Sequence, residues 1–129
     1  MITISLVDDS ALFRDAIKSL LTKEKDLKII GEAENGKHFI RQLEQGITPN
    51  VALVDFNMPE MNGLETTKFV SQNFPQIKVI IVTNQTDKFF ANETVSSGAK
   101  GFISKTVSKE VFIEAIHIVH TDKEFISIV

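Results

Sequence analysis

Five times along 129 residues a short apolar run is followed by a segment whose apolar residues recur at the helical period. That strict alternation constrains the chain more than any other feature. Strands that alternate with helices lie parallel, joined by right-handed crossovers that place helices on both faces of one sheet. An eight-fold barrel needs roughly twice the residues. The expectation is an α/β, doubly wound, five-stranded parallel sheet in strand order 2-1-3-4-5, built from residues 1–121, with 122–129 as a C-terminal tail. No long linker, internal repeat or low-complexity tract interrupts it.

The first strand is Ile2 to Val7, apolar and β-branched. Ser10 caps a helix in which Leu12, Phe13, Ala16, Ile17, Leu20 and Leu21 form one apolar face. Leu27 to Ala33 is the second strand; Gly36 to Glu44 is a short helix with Phe39, Ile40 and Leu43 inward, ended by Gly46 and Pro49. Val51-Ala52-Leu53-Val54, running into Asp55, has the continuous apolar character of a strand buried on both faces. After a turn-rich loop at 57–63, Asn62 caps the next helix with Glu65 as its box partner. A strand at 77–82 has Thr83 at its end; a helix at about 88–97 stops at Gly98; Gly101 to Ser104 is the fifth strand. Ser108 caps a final helix with Val111, Phe112, Ala115, Ile116 and Val119 on one face.

Composition removes several classes. No apolar run approaches the roughly 18 residues of a membrane span, and the first residues reach Asp8 and Asp9 too soon for a signal peptide. Zero cysteines exclude a disulfide scaffold and thiolate chemistry and suit a cytoplasmic location. A net charge of −3, from 17 acids and 14 bases, lacks the basic footprint of a nucleic-acid binder, so any action on DNA would run through another module.

In a doubly wound sheet, ligands bind outside the carboxyl ends of the strands, near the point where strand order reverses. Asp8 and Asp9 follow strand one, Asp55 ends strand three, Thr83 ends strand four and Lys105 follows strand five. Three carboxylates, a hydroxyl and an ammonium then converge on one rim. Two like charges 4 Å apart repel by roughly 4 kcal/mol at an effective dielectric near 20. Lys105 offsets part of this, and a hard divalent cation, Mg²⁺ or Mn²⁺, suits the rest. The set fits phosphoryl transfer, with Asp55 as nucleophile. A lone strand-end Asp is more often a helix cap or a solvated rim charge; five such groups on one rim are not explained that way.

Other sites are disfavoured. There is no phosphate-binding G-x-x-x-x-G-K, no G-x-G-x-x-G after strand one and no G-x-S-x-G elbow. Acids after strand one repel a flavin phosphate. A dehalogenase-type phosphatase carries a second acid two residues past its nucleophile; here that residue is Asn57, which points to a longer-lived phosphoryl group and a signal rather than turnover.

These residues, with Gly63 opening a helix and the run Gly98-Ala99-Lys100-Gly101-Phe102-Ile103-Ser104-Lys105, resemble the receiver domain of bacterial two-component response regulators over almost the whole chain. The resemblance implies a flavodoxin-like fold and a regulatory domain that catalyses its own phosphorylation and slow dephosphorylation. It implies Asp55 as phosphoacceptor from a sensor histidine kinase, and Asp9 and Asp8 as metal ligands, the second largely through water. Asp55 itself and the Asn57 backbone carbonyl complete the protein ligands. Lys105 pairs with the acyl phosphate, Thr83 is the switch hydroxyl, and Phe102 is a switch aromatic or, alternatively, a permanent core ring. The Glu34-Asn35-Gly36 triplet and the 98–102 run look most like the subfamily with a C-terminal helix-turn-helix, and the tail resembles the start of its linker, with transcription as the output. Homodimerisation on phosphorylation belongs to the same expectation. Intact Asp8, Asp9, Asp55, Thr83 and Lys105 argue against the alternative, a receiver fold used for phosphorylation-independent protein interaction.

Two positions depart from the commonest pattern. Asn84, where a small residue is usual, would narrow access to the site together with Gln85, and Thr106 replaces the usual proline after Lys105, which puts a cis bond there in doubt. His117 and His120 have metal-like spacing without a third soft ligand and read as surface histidines. Of Phe89 and Phe90, one ring is expected to face the core and the other solvent, where it would suit a partner; the equal alternative is that both rings are partly buried.

Overall fold

The computed structural model describes residues 1–84 and 88–127. Its strands are β1 (Ile2–Val7), β2 (Leu27–Ala33), β3 (Val51–Asp55), β4 (Lys78–Thr83), β5 (Gly101–Ser104) and β6 (Phe125–Ile126). Its helices are α1 (Ala11–Leu21), α2 (Gly36–Glu44), α3 (Gly63–Asn73), α4 (Lys88–Ser96) and α5 (Lys109–His120). The sheet runs β2-β1-β3-β4-β5-β6 and every pairing is parallel. The 2-1-3-4-5 order is as expected; the strand number is six, not five. Two tail residues extend the sheet, Phe125 beside Gly101 and Ile126 beside Phe102. An edge strand presents unpaired backbone donors and acceptors, and β6 satisfies some of those on β5. Two residues are too short a segment to show any periodicity.

Successive residues of the central strands enter opposite cores, which is why these strands read as unbroken apolar runs. Val51, Leu53, Ile80, Val82 and Ile103 pack with Ile17, Leu21, Phe112 and Ile116 under α1 and α5. Ala52, Val54, Val79, Ile81 and Phe102 pack with Phe39, Leu43, Val70 and Ala91 under α2, α3 and α4. The helix starts are capped as expected. Ser10 and Ser108 each accept a backbone N–H three residues on, and Asn62 and Glu65 form a full capping box, Glu65 N–H donating to Asn62 Oδ1 at 2.9 Å and Asn62 N–H to Glu65 Oε1 at 3.1 Å.

Four expectations need correction. β4 runs one residue later than 77–82, so that Thr83 is its last residue, and α4 ends at Ser96, ahead of Gly98 at φ +113°. The apolar face of α1 is narrower than its sequence suggests: Ile17 and Leu21 are buried, Phe13 and Leu20 pack against the core, but Leu12 is 82% exposed and Ala16 is exposed. Leu12 and Ala16 lie one turn apart on the flank of the stripe, where the sheet does not reach. Val111 of α5 is only partly buried.

The two α1 positions provide a stability test. Ile17→Ala is expected to cost about 2–5 kcal/mol through transfer and cavity terms, and Leu12→Ala less than about 0.5 kcal/mol. Urea midpoints at unchanged slope measure both.

Candidate functional site

The order reversal lies at β1, which has β2 on one side and β3 on the other. The crevice it opens at the carboxyl ends of β1 and β3 is where Asp8 and Asp55 emerge. Asp8 is 3% exposed and Asp55 6%. Asp8 is held from four directions. Its N–H donates to the Ala33 carbonyl at 3.0 Å, its Oδ1 accepts from the Ser10 N–H at 2.8 Å, and its carbonyl accepts from the Arg14 guanidinium. Its Oδ2, otherwise without a hydrogen bond, lies 2.9 Å from the Lys105 ammonium.

Lys105 reaches over the rim from just past β5. Its Nζ is 3.5 Å from Asp55 Oδ2 and 4.5 Å from the centroid of the Phe13 ring. Its N–H donates to the Thr83 carbonyl at 3.0 Å, which ties the segment after β5 to the end of β4. Thr83 is itself buried and pairs in register with Ser104. No described peptide bond is cis, that between Lys105 and Thr106 included.

Burial pushes the Asp55 carboxyl up to about 6; the Asp8 charge adds to this and the Lys105 ammonium counters it. For Lys105, burial opposes the ammonium, but the Asp8 hydrogen bond and the Asp55 charge outweigh it and raise its pKa. Asp9, exposed, completes the cluster: Asp8, Asp9 and Asp55 each offer an oxygen, all within 4.8 Å of one another. Hard oxygen donors at that spacing, two of the three carboxylates buried, fit a divalent cation. The residues that would hold it are Asp8, Asp9 and Asp55.

The loop after β3 carries Asn57, which is exposed. Its base is closed by the Gly63 N–H donating to the Phe56 carbonyl at 2.8 Å. A Cβ on Gly63 would lie 2.4 Å from the Asp55 carbonyl oxygen, so only glycine lets α3 begin this close to Asp55. Asn84 is exposed beside Thr83; Gln85 lies outside the described residues. Phe102 is fully buried under α2, α3 and α4. Phe89 is 66% exposed, while Phe90 packs edge-on to Phe56 with centroids 5.1 Å apart.

Two interactions were not anticipated from the chain. Arg14 bridges the Asp8 carbonyl and Glu32 Oε1, with Lys18 on Glu32 Oε2 at 2.8 Å. The Arg14-to-Lys18 spacing, one helical turn, was the available signal. His117 Nε2 lies 2.5 Å from Asp26 Oδ2 and its Nδ1 lies 2.9 Å from the Ile113 carbonyl, so the Asp26 hydrogen bond raises its pKa. His117 and Asp26 stand 91 positions apart, beyond any local pattern.

A family model for the response regulator receiver domain matches residues 4–117. The transcriptional regulatory protein DegU of Brevibacillus brevis is 31% identical over 92% of this chain and 50% of its own length. The response regulator GacA of Pseudomonas aeruginosa is 32% identical over 98% of this chain and 59% of its own. This chain thus spans between half and three-fifths of these relatives. A LuxR-family DNA-binding response regulator from Staphylococcus aureus, known from a crystal structure, shares the fold with a TM-score of 0.85 at 28% identity, covering 93% of this chain and 99% of that one. The crystal structure of the response regulator domain of Thermotoga maritima CheB gives 0.85 at 28% identity, over 94% and 97%. The family match embraces every strand-end residue from Asp8 to Lys105, and the chain belongs to the response regulator receiver domain family.

Proposed function

We propose that this chain is a phosphorylation-dependent signalling receiver in which Asp55 accepts a phosphoryl group from the phosphohistidine of a sensor histidine kinase. The observation that carries this is the convergence of Asp8, Asp9 and Asp55 oxygens within 4.8 Å, with the Lys105 ammonium 3.5 Å from Asp55. An Asp55 oxygen attacks phosphorus, the P–N bond breaks, and the imidazole leaves with the electron pair. Bound Mg²⁺ or Mn²⁺ supplies charge neutralisation for the carboxylates and the transferring group. Lys105 holds positive charge where the acyl phosphate forms, and the Asn57 carbonyl completes the metal's protein ligands.

The new dianion then draws Thr83 toward it, a local charge change that biases a bistable element. Phe102 is the ring behind Thr83 that responds. Asn84, exposed beside Thr83, narrows the approach to Asp55, and Asn57 stands where a hydrolysing acid would otherwise sit. Dephosphorylation is therefore slow, and the chain acts as a regulatory domain rather than a turnover enzyme. The output is transcription, through a DNA-binding module joined by the 122–129 tail. This reading is supported by DegU, a transcriptional regulatory protein, and by the extension of both DegU and GacA well past the length matched here. Phosphorylation promotes homodimerisation, and the setting is the cytoplasm.

Intact mass after incubation with Mg²⁺ and acetyl phosphate is expected to rise by one phosphoryl group in the wild type, and to stay unchanged in Asp55→Asn or without a divalent cation. A gain that survives Asp55→Asn would move the acceptor elsewhere. The raised pKa of Asp55 makes a second test. Folding favours its protonated form, so its contribution to stability is complete below the ordinary value of 3.8 and is lost as pH rises through about 6. In metal-free buffer Asp55→Asn should exceed the wild type by about 1–3 kcal/mol at pH 7, and that advantage should vanish below about pH 4. Denaturant unfolding at the two pH values reads the difference, and an advantage equal at both would reject the electrostatic origin.

A further inference from the structure

The Glu34-Asn35-Gly36 corner between β2 and α2 serves more than its helix. Asn35 is 9% exposed. Its Oδ1 accepts from the His38 N–H at 2.8 Å and caps α2, while its Nδ2 donates to Glu60 Oε2 at 3.1 Å. The Gly36 N–H donates to the Met61 carbonyl at 3.3 Å. A Cβ on Gly36 would lie 2.1 Å from Thr66 Oγ1 of α3 and 3.0 Å from Met61 Cγ, so glycine is what lets the corner come this close to α3 and to the loop that precedes it.

That loop is the one that carries Asn57. Within it Glu60 has φ +66°, and the Met61 N–H donates back to the Pro59 carbonyl at 2.7 Å. Together they make a γ-turn with its central residue at positive φ, the rare and strained form. Strained backbone persists only where the surroundings over-determine it. The two hydrogen bonds from Asn35 and Gly36 do that on one side of the loop, and the Gly63-to-Phe56 bond closes its base.

We propose that Asn35 and Gly36 are positioning residues for the divalent cation, holding the 57–62 loop in the conformation from which Asn57 offers its carbonyl. The inference rests on the reading of Asp8, Asp9 and Asp55 as metal ligands. A loop ordered before the cation arrives does not have to be ordered by it, and affinity rises accordingly. The α2 corner thereby becomes part of the metal site although no atom of it touches the metal.

Mn²⁺ titration of the unphosphorylated protein, followed by the EPR signal of the free ion, tests this without any phosphoryl transfer. Asn35→Ser keeps a capping oxygen for α2 but has no amide to reach Glu60. It should weaken Mn²⁺ binding about tenfold, the low end of what losing a supporting partner costs a metal site, while its thermal midpoint stays near the wild type. Glu60→Ala should do the same, and the double variant should lose no more than either alone. Glu60→Gln keeps an oxygen to accept from Asn35 and should bind like the wild type. Unchanged affinity in Asn35→Ser, or a loss in Glu60→Gln as large as in Glu60→Ala, would overturn the proposal, the second by showing that only the Glu60 charge matters. Asp9→Asn separates the two levels: if it binds Mn²⁺ as the wild type does, the metal reading fails and this inference with it.

Discussion

The Lys105 ammonium, 2.9 Å from Asp8 and 3.5 Å from Asp55, is the interaction on which the rim depends. Two carboxylates as buried as these repel each other and lose most of their hydration. Each is tolerable only while a counter-charge stays beside it. Lys105 meets that need in the absence of a cation, and its own position is fixed by other parts of the fold. The backbone is tied to Thr83, and the ammonium sits over the Phe13 ring, which in turn packs at 6.5 Å on Phe112 of α5. Burial and the Asp8 charge together outweigh the ammonium at Asp55, whose pKa stays raised.

The sheet gives this arrangement its precision. Asp8 and Asp55 leave the ends of adjacent parallel strands, and Asp55 pairs in register with Val82, one residue before Thr83. Strands buried on both faces move little, so the side chains at their ends are placed by the packing of two apolar cores rather than by loops. The loop that does take part is restrained at both ends: Gly63 admits α3 against the Asp55 backbone, and the Asn35-Gly36 corner holds Glu60 and Met61. On the far side, Phe56, next to Asp55, touches Phe90, and Phe90 touches the exposed Phe89 with centroids 5.7 Å apart. A line of rings therefore runs from beside the acceptor residue to the surface of α4.

Much of this was legible in the chain because it is written in short-range patterns. Five of the six strands, the caps at Ser10, Asn62 and Ser108, and the strand-end places of Asp8, Asp9, Asp55, Thr83 and Lys105 follow from apolar periodicity, capping chemistry and one rule about where open α/β sheets bind ligands, and the expected order 2-1-3-4-5 is the one observed. What local patterns misjudged is equally specific. Leu12 has the spacing of a core residue and lies in solvent, because only the neighbouring sheet decides how wide a stripe of α1 is covered. The β6 strand has no signal of its own and exists because β5 would otherwise be left with an open edge.

By itself, then, the order of residues determined the element sequence, the fold class and the chemical types gathered at the strand ends, since these depend on periods of two and 3.6 and on turn chemistry. Tertiary structure alone decided the distances and partners: Lys105 between two carboxylates, Arg14 on the Asp8 carbonyl, His117 on Asp26, Asn35 on Glu60. His117 to Asp26 and Asn35 to Glu60 span 91 and 25 positions and exist only once the segments that carry them have packed, while Arg14 reaches back from α1 to the residue that follows β1. The strain at Glu60 belongs with them, because a positive φ at a non-glycine residue is set by what holds the loop and not by the residue that occupies it.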